Sequence, residues 1–453
     1  MVLKTDLKKD WTEGSVARNL WFFSWPIMIS QSLGMIGPTI DMVWIGRLGT
    51  AAIAGVGVSG MIVQVVNSLT MGLFTGLRAI VGRFVGAGDN ESANHILQQA
   101  FVISAGFSIV IAVIGLFLTE PILIAFGVEP DVVTEGSGYM RIQLVGMVTM
   151  TLLAIAQSAL QASGDPKTMM RITIFYRILH VILVPFFIFG WWIFPNLGVS
   201  GAALTNVVTQ GIGGALGLWF LFGGRSRLKP TLVNFKLDWE AIWRLLRIGI
   251  PASVTGTQRF LPGLILVWFV SPFGTFAVAA YSLMQRIDNF IRNPAASLGR
   301  STGILAAQNL GAGKPERAEK GGWLGAGIFT CVAVVISIVI WFWAEGIIGI
   351  FNTEPGLVDV ASSFLRIQIV SYMLMGLVVV LSMCIEGTGD TVPSMIITLA
   401  SMWIVQIPLA YFIANHTGIG VYGVPWSIAL ALLCRAIFYS AYFRSGRWKR
   451  KKV

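Results

Sequence analysis

Long apolar runs recur along almost the whole chain, from Trp21 to Tyr442, and they restrict the fold more than any other feature. A bilayer core is crossed by about 20 apolar helical residues. In lipid each backbone polar group has to be satisfied within its own segment, which leaves only helices or a closed barrel. Barrel strands read as short alternating segments, whereas these runs are continuous. Only 12% of residues are charged and 55% are hydrophobic, and a soluble domain carries roughly twice that charge fraction. The expectation is an all-α polytopic membrane protein with twelve spans, near 20–44, 52–77, 96–118, 136–160, 169–192, 200–222, 246–270, 277–300, 322–344, 359–384, 393–414 and 419–443. Residues 1–18 are polar and mixed in charge, and the first apolar run is too long for a signal-peptide core.

The net charge of +11 is distributed by topology. Basic residues gather at alternate span ends: Lys4, Lys8, Lys9 and Arg18, then Arg83, Lys167 and Arg171, the cluster Arg225 to Arg247, then Lys314, Arg317 and Lys320, and the tail RSGRWKRKKV. The intervening loops LTEPILIAFGVEPDVVTEG and AEGIIGIFNTEPGLVD hold acids and no Lys or Arg. The positive-inside rule then places both termini in the cytoplasm and demands an even number of spans. The basic tail reads as an orientation signal in contact with membrane lipid, with no nucleic-acid partner.

The chain also repeats itself. Pro26 in FSWPIMISQ is matched by Pro251 in IGIPASVTG, and VGAGDNESA ending at Ala93 by LGAGKPERA ending at Ala318, both 225 residues apart. Arg141 and Arg366, and Asp165 and Asp390, keep that offset, while Gly198 and Gly420 lie 222 apart. Such a register means duplication. Two six-span repeats in the same orientation form a parallel two-lobed transporter architecture, with a central cavity between or within the lobes. The division expected is a 1–18 cytoplasmic segment, an N-lobe at 19–222, an inter-lobe loop at 223–245, a C-lobe at 246–443 and a tail at 444–453. Within the loop, WEAIWRLL has the pattern of a short surface helix.

One carboxylate, Asp41, sits near the far end of the first span, in WFFSWPIMISQSLGMIGPTIDMVWIGRLG. A carboxylate near the bilayer centre costs roughly 2.5–3.5 kcal/mol on insertion scales. Asp41 either serves function or sits at the interface or paired with a buried arginine. The intramembrane polar residues are where the two copies differ: Asp41 maps to Leu266, His180 to Val405, and Arg286 and Asp288 map back to Met61 and Val63. A scaffold requirement tends to recur in both copies, so the asymmetry favours function for Asp41 and His180. Pro26 recurs and marks a helix-bending feature of both lobes, whereas Pro38 maps to Gly263.

GAGDNESA and QNLGAGKPERA after the second span of each half, QASGD and EGTGD after the fourth, and the pair LGVSGAALT and IGVYGVPWS resemble the multidrug and toxic compound extrusion (MATE) family over the whole chain. Asp41 in PTIDMVWIGRLGTAAIAGVG and the AYSLMQRID segment are most similar to its prokaryotic branch named after the DNA-damage-inducible F protein (DinF-like). The resemblance implies a cation-coupled antiporter in the inner membrane of a prokaryote, exporting amphipathic, often cationic drugs or toxic metabolites by alternating access. It also implies a coupling site that joins the first-span Asp to polar residues of spans four to six, commonly with an Asn and an Asp four apart on span five. Here that pair reads His180 and Val184, with Tyr139 and Gln157 on span four and Thr205, Asn206 and Thr209 on span six. Sodium prefers oxygen ligands, and His titrates near neutrality. The expectation is therefore proton coupling through Asp41, tuned or relayed by His180, with sodium disfavoured and no cofactor or metal. The alternative for His180 is a hydrogen-bonded packing role.

In the second half, Arg286 and Asp288 stand two apart and do not share a helix face, so each is expected to meet neighbouring helices. With Gln258, Arg259 and Glu386 they read as a structural or gating ion network rather than a second cation site. Gln31, Gln64, Asn67, Gln161, Thr209, Tyr281 and Met284 are further cavity candidates, and Phe260 and Trp268 candidates for an apolar substrate path. The GAG loops lack the strand context of phosphate sites and read as tight turns. Cys331, Cys384 and Cys434 are far apart, and His95 and His416 lie on opposite sides, so no metal cluster or nucleophile-base pair can be assembled. The chain reads as a monomeric transporter of small amphipathic organic molecules, not an enzyme. A lipid or lipid-linked-sugar flippase is the alternative, and a channel is disfavoured because the polar residues are clustered rather than continuous.

Overall fold

The computed structural model describes residues 10–231, 235–258, 260–451 and 453. Lys4, Lys8, Lys9, Arg259 and the side chain of Phe260 lie outside them. The described chain is α-helical, with no strand among the described residues: α1 Val16–Ile45, α2 Thr50–Ala87, α3 Asn90–Phe117, α4 Thr119–Ala125, α5 Pro130–Val145, α6 Met147–Ala162, α7 Pro166–Phe189, α8 Val199–Phe222, α9 Trp239–Thr257, α10 Phe260–Val270, α11 Thr275–Gly311, α12 Pro315–Gly349, α13 Pro355–Met375, α14 Leu381–Gly387, α15 Thr391–Ala400, α16 Ile407–His416 and α17 Gly423–Arg444. Eight helices, counting α13 with α14 and α15 with α16, are long and apolar enough to cross a membrane, and α5 with α6, bent by 46°, makes a ninth. The remaining three of the twelve expected spans are α1, α9 with α10, and α11. Of these, α1 carries Asp41 and α11 the pair Arg286 and Asp288, and Gln258 follows the end of α9. The protein is a multi-pass membrane protein.

Two departures from the sequence expectation are local. The fourth span breaks at Gly146, whose N–H still bonds the Ile142 carbonyl at 2.8 Å. WEAIWRLL forms no separate surface helix. It is the first half of α9, which continues through Pro251 to Thr257, because Asp238 accepts from the N–H groups of Glu240 and Ala241 and starts the helix there.

The chain divides into two compact units, one of 1–10 and 25–249 and the other of 11–24 and 250–453. The changeover in α1 falls one residue before Pro26. Each unit repeats the same devices. Ser30 bonds the Pro26 carbonyl at 2.8 Å, and its repeat mate Thr255 bonds the Pro251 carbonyl at 3.0 Å. Each proline lacks the N–H that would serve the preceding turn, and a hydroxyl one turn later adds a local bond. The GAG turns close with Gly88 at φ 80° and Gly313 at φ 70°, a left-handed geometry that suits glycine. In the first unit the basic loop is tied to the start of α3: Lys229 N–H to Asn94 at 3.0 Å, His95 to Asp238 at 2.9 Å and Gln99 to the Lys236 carbonyl at 2.8 Å. In the second unit the tail folds onto the start of α12, where Lys449 pairs with Glu319 and Trp448 stacks on Phe443.

Candidate coupling site in the first unit

Asp41 lies one turn after Pro38 on α1, His180 lies in the middle of α7, and Asn206 and Thr209 lie one turn apart on α8. Each is buried. Asp41 Oδ1 is 2.8 Å from His180 Nε2, and its Oδ2 accepts from Asn206 Nδ2 at 3.1 Å. Thr209 donates to the Thr205 carbonyl at 2.7 Å, and its oxygen lies 3.5 Å from His180 Nδ1. With that hydroxyl proton committed to its own helix, Thr209 faces Nδ1 as an acceptor. Nε2 then meets Asp41 either as an N–H facing a carboxylate or as a lone pair facing a carboxylic acid. The two arrangements hold the same number of protons, differ only in whether the shared one sits on Nε2 or on the carboxyl, and keep the same heavy-atom contacts.

The other residues singled out from sequence fall around or away from this cluster. Thr205 bonds back to Gly201 at 2.8 Å. Tyr139 is buried and its hydroxyl accepts from Gln143 Nε2 at 3.3 Å. Gln157 is half-buried and is not one of the groups touching Asp41. Val184, at the position where the resemblance implies a carboxylate, is fully buried in an apolar cluster with Ile45, Val56, Tyr139, Ile188 and Ala202. Gln31 and Asn67 are half-buried, Gln64 is exposed and Gln161 is buried.

One member was missed. Arg177 stands three residues before His180, and its Nη2 donates to the Gly34 carbonyl of α1 at 3.4 Å. Pro38 has no N–H, so the Gly34 carbonyl four residues earlier loses its helical donor, and Arg177 fills that place. The signal was present in the repeat, because Arg177 maps to Met402 in the second half.

The second unit holds a separate polar site. Asp288 accepts from the Tyr372 hydroxyl at 2.6 Å and from Gln368 Nε2 at 3.4 Å. Arg286 is exposed and points elsewhere. Arg292, four residues beyond Asp288 and so on its face, lines with it a cavity of about 130 Å3 that Tyr281, Gln406 and Arg435 also border. Two π-helical turns, Gly376–Val380 and Ser401–Gln406, form part of the wall, and such turns cluster at functional sites. Glu386 is not among the residues lining this cavity; it accepts from Ser394 at 2.6 Å beside Tyr439, which does line it. Gln258 is buried with its amide unpaired among the described residues. Met284 is buried, and Trp268 is exposed. No group of three or more metal-ligating side chains occurs among the described residues.

Duplicated helical lobes with a buried, titratable cluster define a two-repeat membrane transporter. The family model MatE matches residues 26–186 and again 251–412, one match in each repeat, and the chain belongs to that family, whose members are transporters and not enzymes. Over 450 residues it is 28% identical to the probable multidrug resistance protein YoeA of Bacillus subtilis (strain 168), covering 97% of this chain and 96% of that one. It is 23% identical over 438 residues to the probable multidrug resistance protein NorM of Thermotoga maritima, covering 94% and 92%. A crystal structure of MATE in the bent conformation shares the fold with a TM-score of 0.90 at 22% identity, over 96% of each chain.

Proposed function

We propose that this protein is a proton-coupled antiporter that exports amphipathic, often cationic organic compounds by alternating access, with Asp41 and His180 as the coupling pair. The observation that carries the reading is the buried 2.8 Å contact between them. Substrate and proton compete for this cluster, so proton entry on one side of the membrane favours the conformation that has lost substrate, and proton exit resets it. The names of the multidrug relatives support the substrate class.

The donor set supports protons over sodium. Hard cations collect oxygen ligands, yet both oxygens of Asp41 face nitrogen atoms, His180 Nε2 and Asn206 Nδ2. The carboxylate implied at position 184 is an apolar valine in a packed layer. The alternating basic span ends support a reading with both termini in the cytoplasm, and the bacterial relatives support the inner membrane of a prokaryote. Efflux from vesicles under an imposed pH gradient and, separately, an imposed sodium gradient tests the reading. Transport driven by the pH gradient alone is expected, and transport driven by sodium and indifferent to pH refutes it.

A further inference from the structure

We infer that Arg177 closes the first-unit site to sodium, by taking both the backbone carbonyl and the charge position that a metal cation would use. This rests on the reading of Asp41 as the coupling carboxylate. A helix break beside a carboxylate is a ready cation site, because the freed carbonyl and the carboxylate offer hard oxygen ligands together. Helix α1 contains that combination: Pro38 frees the carbonyl of Gly34, and Asp41 follows one turn later. Each of the two oxygen groups is capped from α7, by residues three apart. His180 covers Asp41 at 2.8 Å and Arg177 covers the Gly34 carbonyl at 3.4 Å.

The guanidinium fits there because residue 37 is glycine. A β-carbon at Gly37 would lie 2.2 Å from Arg177 Nη1 and 3.7 Å from His180 Nε2, so both side chains flank one point on α1. Arg177 Nε and Nη1 are buried with no hydrogen-bond partner among the described residues, which marks the group as a charge held in place rather than one side of a satisfied ion pair. Flanking the same point on α1 as the imidazole that contacts Asp41, the guanidinium puts positive charge where a monovalent metal would have to sit, while a proton can still be added to the carboxylate or the imidazole.

The test measures thermal unfolding of the purified full chain in detergent, in NaCl against choline chloride at equal ionic strength and pH. Wild type and His180→Asn are expected to melt identically in the two salts. Arg177→Met combined with His180→Asn is expected to gain a sodium-specific rise of roughly 2–4 °C, which disappears when Asp41→Asn is added. Gly37→Ala in the His180→Asn background should reproduce the effect by displacing the guanidinium. Gly34→Ala, whose β-carbon meets nothing within 4 Å, should not. Should the Arg177→Met double variant fail to fold, the Gly37→Ala arm decides. A folded double variant with no sodium response overturns the inference, as does a response that survives Asp41→Asn. Sodium-driven efflux by wild type would instead refute the proposed function, whatever the variants do.

Discussion

Replacing His180 by Leu tests whether the pair is energetically as well as geometrically coupled. His180 is 0% exposed and Asp41 2%, so solvent screens neither, and removing one partner of such a buried pair costs about 3–5 kcal/mol. For a unit of this size that corresponds to a fall in Tm of roughly 6–20 °C. The double variant Asp41→Leu/His180→Leu removes both partners and leaves only the Asn206 amide newly unpaired, at about 1–3 kcal/mol. The double variant is therefore expected to melt above His180→Leu, although neither transports. Scanning fluorimetry of purified wild type, both single variants and the double variant closes the cycle. Additive losses would refute the claim that the two side chains form one unit.

Other expectations follow from single contacts. Tyr372→Phe removes the 2.6 Å bond to Asp288 and should lower stability by about 1.5–3 kcal/mol, read as a drop in Tm. Trp448→Ala removes a fully buried ring stacked on Phe443, and with it the 2.9 Å bond from its N–H to the Phe443 carbonyl. A loss of about 3–5 kcal/mol should appear in the melt, together with faster proteolysis of the tail. The hydrogen bond to His95, helped by the Ala241 N–H, holds Asp238 below its ordinary carboxylate value. Its contribution is thus present above the unfolded carboxylate pKa and lost as pH falls through the lower folded value. Amide protection over 235–242, corrected for the intrinsic pH dependence of exchange, should fall only on that acid side.

Much of the fold was legible because lipid leaves few options and because the 225-residue register could be checked position by position. Asp41 and His180 were legible for the same reason, as polar residues without a mate in the other copy. Arg177 passed that same comparison, but its meaning depended on a carbonyl that Pro38 leaves without a donor, and only the packing of α7 on α1 shows which side chain reaches it. Asn206 and Gln157 looked equivalent in sequence, since both are amides on neighbouring spans. The crossing of α8 over α1 selects Asn206. In the second half, helical spacing alone could have preferred Arg292, four residues from Asp288, over Arg286, two residues away. The bend at Gly146 carries no comparable signal.

The central claim is that Asp41 carries the coupled proton. Efflux from proteoliposomes under an imposed pH gradient, compared between wild type and Asp41→Asn at equal protein incorporation, addresses it most directly. The account predicts gradient-driven efflux by wild type and none by Asp41→Asn, whose amide cannot exchange a proton at neutral pH. Unchanged pH-driven efflux by Asp41→Asn would contradict it.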